Sequence, residues 1–155
     1  MNRKDLQQFI DAHNIDATIL PMDRHTSTVE DAARALSVET DQIIKSLVFI
    51  ARGEPLIVIN NGISRVDRRK LGATLGINRK KIKFADAEQV KDITGYMVGS
   101  IPPFGHRRQL QTLVDTGIAL LDTVFGGGGD INAMMRLYSQ ELLRVTQAKI
   151  IDLSE

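Results

Sequence analysis

The sequence predicts a mixed α/β fold of the α+β type, and three observations predict it. Two β-branched apolar runs, 43–50 and 55–60, are separated by ARGE, which carries the glycine a hairpin turn wants. Helical spacings with capping residues lie on both sides of that pair. The order of strands and helices keeps no regular strand–helix–strand beat, which argues against a doubly wound sheet.

In chain order, Leu6, Phe9, Ile10 and His13 recur at helical spacing and give a first helix with one face on the core. Residues 17–22 make a short strand ending at Pro21. Ser27 and Glu30 stand three apart as a capping box, and Val29, Ala32, Ala33 and Leu36 carry on as a second helix. The 43–50 and 55–60 runs pair antiparallel. Asn61-Gly62 then signals a turn, and Asp67 caps a helix that Gly76 stops. A strand follows over 81–85, and Asp86 caps a helix through Ile93 that Gly95 closes. Residues 110–114, 119–125 and 132–137 read as strands. Ser139 caps a last helix to Thr146, and 149–153 is a final strand. There is no internal repeat, linker or low-complexity tract.

A chain of 155 residues fits one domain, 1–155, and can bury a core without staples. The absence of cysteine removes a disulfide framework, a thiolate metal site and a cysteine nucleophile. That fits a cytoplasmic setting. The N-terminus reads as an amphipathic helix rather than a signal peptide, and no run is long enough to span a bilayer, so no membrane partner is expected. The net charge of +1 implies no partner by itself.

Lys45 is the first candidate for chemistry. Alternation puts Ile43, Lys45, Leu47 and Phe49 on one strand face and Ile44, Ser46, Val48 and Ile50 on the other. Both faces are apolar, so the strand is expected to be buried on both sides. An ammonium there needs a partner, a cavity or a route to water. It is either a stem that reaches solvent at a strand end or a lysine at a pocket mouth that binds an anion or polarises a carbonyl. The second candidate is GYMVGSIPPFGH, 95–106, with three glycines and a Pro-Pro pair. It is either a shaped connection or a rigid wall whose free N–H groups hold a substrate oxygen.

GGGGD, 126–130, lacks the Gly-Lys-Ser/Thr ending of a phosphate loop and fails G-x-G-x-x-G at Ile131. A hairpin or bulge, or close backbone approach to a ligand, are its two uses. Charge is the third signal. Arg65, Arg68, Arg69, Lys70, Arg79, Lys80, Lys81 and Lys83 are opposed in their stretch only by Asp67. This is either a solvated surface or a positive face for nucleic acid. Aromatic residues make up 5% of the chain and form no visible stacking platform, so contact is expected mainly with phosphate. The three histidines, 13, 25 and 106, show no metal spacing, and no serine sits in a G-x-S-x-G elbow. Neither metal nor cofactor is expected.

Taken together, Lys45 in IIKSLVF, VDRRKLGATLG after VINNGIS, and TGYMVGSIPPFGH followed by LVD resemble the YbaK family. That family also supplies the editing insertion of bacterial prolyl-tRNA synthetases. The tail from FGGGGDINAMMRLYSQELL to KIIDL continues the resemblance, which runs from about Thr18 to the end. It implies a mixed, barrel-like β-sheet with flanking helices. It also implies a hydrolase, an aminoacyl-tRNA deacylase that acts in trans to protect translation fidelity. The implied partner is aminoacyl-tRNA, specifically tRNA-Pro carrying Cys, Ala or another small amino acid, with a synthetase as a further candidate. The family's lysine falls on Lys45 and its G-x-x-P loop on Gly99, Ser100, Ile101 and Pro102. Lys45 and Gly99 are the catalytic candidates. Ser46, Asn60, Ser64, Ser100, Ile101, Pro102 and Asp130 are candidates for substrate binding, and Arg68, Arg69 and Lys80 for tRNA binding. Some branches of the family place a histidine in the glycine-rich hairpin, where this chain has Gly129 and Asp130. The alternative reading is a non-catalytic tRNA- or RNA-binding protein that keeps the fold; a third is a nucleotide binder that uses GGGGD.

Overall fold

A computed structural model describes residues 1–23 and 28–155. Helix α1 (Arg3–Ala12) leads into β1 (Ala17–Pro21) and α2 (Val29–Leu36). The hairpin of β2 (Ile44–Ala51) and β3 (Glu54–Asn61) follows, then α3 (Arg68–Leu75), β4 (Ile82–Phe84) and α4 (Ala87–Thr94). A long loop reaches β5 (Gln111–Asp115), α5 (Thr116–Ala119), β6 (Thr123–Gly127), β7 (Ala133–Tyr138), α6 (Ser139–Thr146) and β8 (Lys149–Ile151).

The strands form two sheets. One has five strands in the order β4-β2-β3-β5-β8, and the other has three in the order β1-β7-β6. The larger sheet is mixed: β2 pairs antiparallel with β3 and β4, whereas β3–β5 and β5–β8 are parallel. A parallel bridge between Ile43 and Phe125 joins the two sheets. The mixed sheet with flanking helices is therefore present, arranged as two linked sheets rather than one closed ring.

Local chemistry accounts for the β2–β3 hairpin. Ala51 pairs with Glu54, which leaves a two-residue turn of Arg52 and Gly53. Both residues have positive φ, 50° and 82°, as the turn that matches strand twist requires. β2 is buried on both faces. Ile44 and Val48 join the main core with Leu6, Ile10, Ile57 and Leu142. Phe49 and Ala51 join a second core under α3, with Leu71 and Leu113. Each fully buried aliphatic of this kind stabilises the fold by roughly 1.5–3 kcal/mol.

Most helix ends follow the sequence expectation. Asp67 caps α3 and Gly76 ends it in the left-handed conformation, and Asp86 and Gly95 do the same for α4. The Ser27 cap lies outside the described residues; the Thr28 side chain caps α2 by accepting from the Asp31 N–H. Ser139 is not the cap of α6, which is Tyr138 without a side-chain bond. The Ser139 hydroxyl donates instead to the Leu121 carbonyl. The strand expected at 119–125 starts later, because Asp115 caps a short helix over the preceding residues and accepts from the Gly117 N–H.

Candidate active site

Two adjoining hollows open beside the N-terminal end of β2. The first is an apolar cavity of about 340 Å³. Strand β2 supplies Ile44, Lys45, Ser46 and Val48 as its floor, α2 supplies Val29 and Ala32, and the long loop supplies Val98, Gly99 and Ile101. Gly127 and Met134 close it from the three-stranded sheet. The second hollow is a groove of about 900 Å³, lined by Ser64, Arg65, Arg68, Arg69 and Arg79 among others. Lys45, Leu47 and Phe84 line both.

Lys45 is exposed, faces Asn60 across the hairpin, and stands where the apolar cavity meets the basic groove. Among the described residues no carboxylate lies within ion-pair distance of it, since the ion pairs are Arg3–Asp130, Arg34–Asp31, Lys70–Asp152 and Arg144–Glu141. Its ammonium thus reaches water and is also available to an anion in the groove. Gly62 lets α2 pack close to the turn after β3: a Cβ there would clash with the Val29 side chain, which lines the cavity.

The loop from Gly95 is held in one shape by its own polar groups. Residues 97–100 form a turn in which the Ser100 N–H donates to the Met97 carbonyl at 3.0 Å. Gly99 sits at φ 92°, a conformation a glycine adopts freely. The buried Ser100 hydroxyl donates to the same Met97 carbonyl at 2.8 Å. Its inward bond makes it a strut of the turn. Gly99 and Ile101 line the cavity, and their N–H groups have no hydrogen-bond partner among the described residues. Pro102 is buried, and its carbonyl accepts from His106 Nε2 at 2.7 Å. Only a protonated Nε2 can donate there, so the ring is the Nε2–H tautomer. Burial pushes the His106 pKa below its ordinary value, against the opposing pull of the Pro102 bond. Tyr96 is fully buried, and burial followed by the charges of Asp5 and Asp130 raises its pKa to about 12.

The glycine run is the seat on which this loop rests. A Cβ at Gly127 would come within 2.6 Å of the Ile101 carbonyl carbon. The Gly129 N–H donates to the Ser100 carbonyl at 3.0 Å. A Cβ at Gly129 would meet the Arg3 backbone at 2.9 Å. Asp130 faces α1, where its Oδ2 accepts from Arg3 Nε at 2.7 Å, and it is not part of the cavity lining.

Other candidates fall in different places. Ser46 is buried and lines the cavity. Asn60 is buried beneath the turn after β3, donating to the Ser64 carbonyl at 3.2 Å and accepting from the Ser154 hydroxyl at 3.0 Å. Ser64 lies on the groove. Arg68 and Arg69 line the groove, while Lys80 is exposed next to Arg79 and outside its lining.

Phe84 is the residue that sequence reasoning missed. It is 51% exposed, with the buried Phe49 ring 4.3 Å behind it and the Arg68 guanidinium 5.0 Å from its centroid. The signal was an aromatic at the end of a lysine-rich strand, KIKF, which periodicity alone assigns to the core. Among the described residues no cluster of His, Cys, Asp and Glu is arranged to hold a metal ion, and no helix is long and apolar enough to cross a membrane.

The family model of the aminoacyl-tRNA editing domain matches residues 23–145. The Bacillus subtilis protein YwhH is 26% identical over 151 residues, covering 97% of this chain and 94% of its own. A proline–tRNA ligase of Maridesulfovibrio salexigens is 38% identical over 78 residues, which is 50% of this chain but only 13% of the ligase. Among solved structures, a candidate trans-editing enzyme for prolyl tRNA synthetase superposes with a TM-score of 0.92 at 28% identity, covering 99% of this chain and 96% of that one.

Proposed function

The chain belongs to the aminoacyl-tRNA editing domain family, and on that premise we propose that it is a trans-acting deacylase that hydrolyses the ester of a mischarged aminoacyl-tRNA. The observation that carries the reading is the position of Lys45, at the junction of an apolar cavity and a basic groove with Gly99 and Ile101 on the facing wall. A substrate joining a small side chain to a polyanion needs two such compartments side by side. The side chain enters the cavity, the phosphates follow the groove, and the ester lies between them.

In this reading water attacks the ester carbonyl carbon. The bond to the ribose oxygen breaks, and that oxygen takes the proton the water loses. The products are a free amino acid and a tRNA with its terminal hydroxyl restored. Lys45 holds the terminal phosphate or ribose and so fixes the ester. The N–H groups of Gly99 and Ile101 face the carbonyl oxygen as it gains charge. Among the described residues no protein base adjoins Lys45 in the cavity lining, and in this reading the 2′-hydroxyl of the substrate orients the water. Val29, Ala32, Ile44 and Met134 give the side chain an apolar surround, and selection by the shape of that surround is the second step of a double sieve. Alanine or cysteine on tRNA-Pro is the substrate that the family resemblance implies.

A panel of mischarged tRNAs tests the proposal. At least one that carries a small amino acid is expected to release it faster in the presence of the protein. Release at the spontaneous rate from every member, together with tight tRNA binding, would favour a non-catalytic tRNA-binding role.

A further inference from the structure

We infer that Phe84, with Arg68 over its ring, is the stacking surface for the terminal nucleobase of the substrate's single-stranded 3′ end. The inference rests on the deacylase reading and adds a binding subsite to it. Phe84 ends β4, the edge strand of the larger sheet, and exposes 51% of its surface to solvent. Its ring is nevertheless held in place. Phe49, its strand partner, is fully buried and lies 4.3 Å away, centroid to centroid, and the Arg68 guanidinium lies 5.0 Å from the Phe84 centroid. Phe49 covers one face of the ring and the Arg68 guanidinium lies over it, so the open layer of this stack is the exposed, flat guanidinium, which Phe84 holds in place for a base to cover.

Its position selects the kind of group. Phe84 lines both the apolar cavity and the basic groove, so a ligand that runs from one to the other passes over it. Arg65, Arg68 and Arg79 in the groove suit a chain of phosphates. An aromatic among cations is the combination that binds single-stranded nucleic acid, with stacking for the base and charge for the backbone. The nucleotide that bears the ester has to lie next to Lys45, and Phe84 is the aromatic that shares both hollows with Lys45.

The chain contains no tryptophan, so Phe84→Trp introduces a single fluorophore at the site. This variant is titrated with the trinucleotide CCA and with the same trinucleotide lacking its terminal base but keeping its phosphates. Saturable quenching by CCA is expected, with about tenfold weaker binding when the base is missing. Phe84→Leu, which keeps an apolar contact to Phe49 without a π face, is expected to bind CCA about tenfold more weakly than the wild type, with unchanged circular dichroism. Equal affinity for the two trinucleotides, or wild-type affinity in Phe84→Leu, overturns the inference. Failure of the deacylase reading is scored separately. Base-dependent quenching without hydrolysis of any mischarged tRNA removes the enzyme and keeps the subsite. Hydrolysis that persists at the full kcat/KM in Phe84→Leu removes the subsite and keeps the enzyme.

Discussion

Gly127 lies against the Ile101 carbonyl with no room for a side chain between them; a Cβ would come within 2.6 Å of the carbonyl carbon and closer still to its oxygen. The pair joins the three-stranded sheet to the wall of the cavity. The glycine run is thus explained by close approach of backbone to backbone, a use of glycine that needs no nucleotide.

Gly127→Ala is accordingly expected to push Ile101 and Gly99 away from the cavity. The cost of overpacking is about 1–3 kcal/mol, read as a lower urea midpoint, and deacylation falls by more than the stability loss accounts for. Gly128→Ala is the comparison, since its Cβ would meet Ala133 and Met134 in the hairpin instead of the loop. It is expected to lower stability and leave the residual folded protein active.

His106 gives the loop a pH dependence whose sign follows from its burial. The folded-state pKa lies below the ordinary 6.5, so the unfolded chain takes up the proton first as pH falls. The stability contribution is complete above about pH 6.5 and is lost as pH drops through the lower folded value. Urea midpoints measured from about pH 8 down to about pH 5 are expected to fall less in His106→Gln than in the wild type. His13 and His25 are common to both proteins, so the difference between the curves reports His106.

The groove arginines are expected to carry the salt dependence of tRNA binding. Changing Arg68, Arg69 and Arg79 to Gln together should lower the slope of log affinity against log salt by about 2, at roughly 0.7–0.9 per phosphate contact. Lys80→Gln alone, outside the groove lining, is expected to shift it less than any single groove arginine. Filter binding over a salt series reads both, and an unchanged slope in the triple variant would move the tRNA surface elsewhere.

Asp115 ties the C-terminal end to the sheet. Its carboxylate is buried and accepts from the N–H groups of Leu153 at 2.7 Å, Ser154 at 3.1 Å and Gly117 at 3.0 Å. Asp115→Ala strands the buried Leu153 donor and removes the acceptor of the half-buried Ser154 and the exposed Gly117 N–H groups, and is expected to cost about 1–3 kcal/mol in urea unfolding. Asp115→Asn, which keeps one acceptor oxygen, is expected to cost less.

Much of this was legible where one residue decides local geometry. Asp67, Gly76, Asp86 and Gly95 mark helix ends because their side chains, or the lack of one, act within a turn of their own backbone. The β2–β3 hairpin was legible for the same reason. Long-range choices were not. Ser139 is an ordinary cap in sequence, and only the fold brings the Leu121 carbonyl to its hydroxyl. Asp130 follows the glycine run in sequence, yet its orientation is set by Arg3, 127 positions away. Phe84 looks like a core residue by pattern and is open because β4 is an edge strand. At the site, Lys45 and Gly99 were legible as an odd lysine and an odd glycine, but their sharing of one cavity depends on how the loop crosses β2.

The most direct test of the central claim compares wild-type protein with Lys45→Ala in single-turnover deacylation of a mischarged tRNA that the wild type hydrolyses. Lys45 is exposed and unpaired among the described residues, so its truncation leaves the fold intact. The rate of the bound complex is expected to fall by about a hundredfold or more, with circular dichroism unchanged. A Lys45→Ala protein that cleaves the ester at the wild-type rate would contradict the assignment of Lys45 to the reacting site.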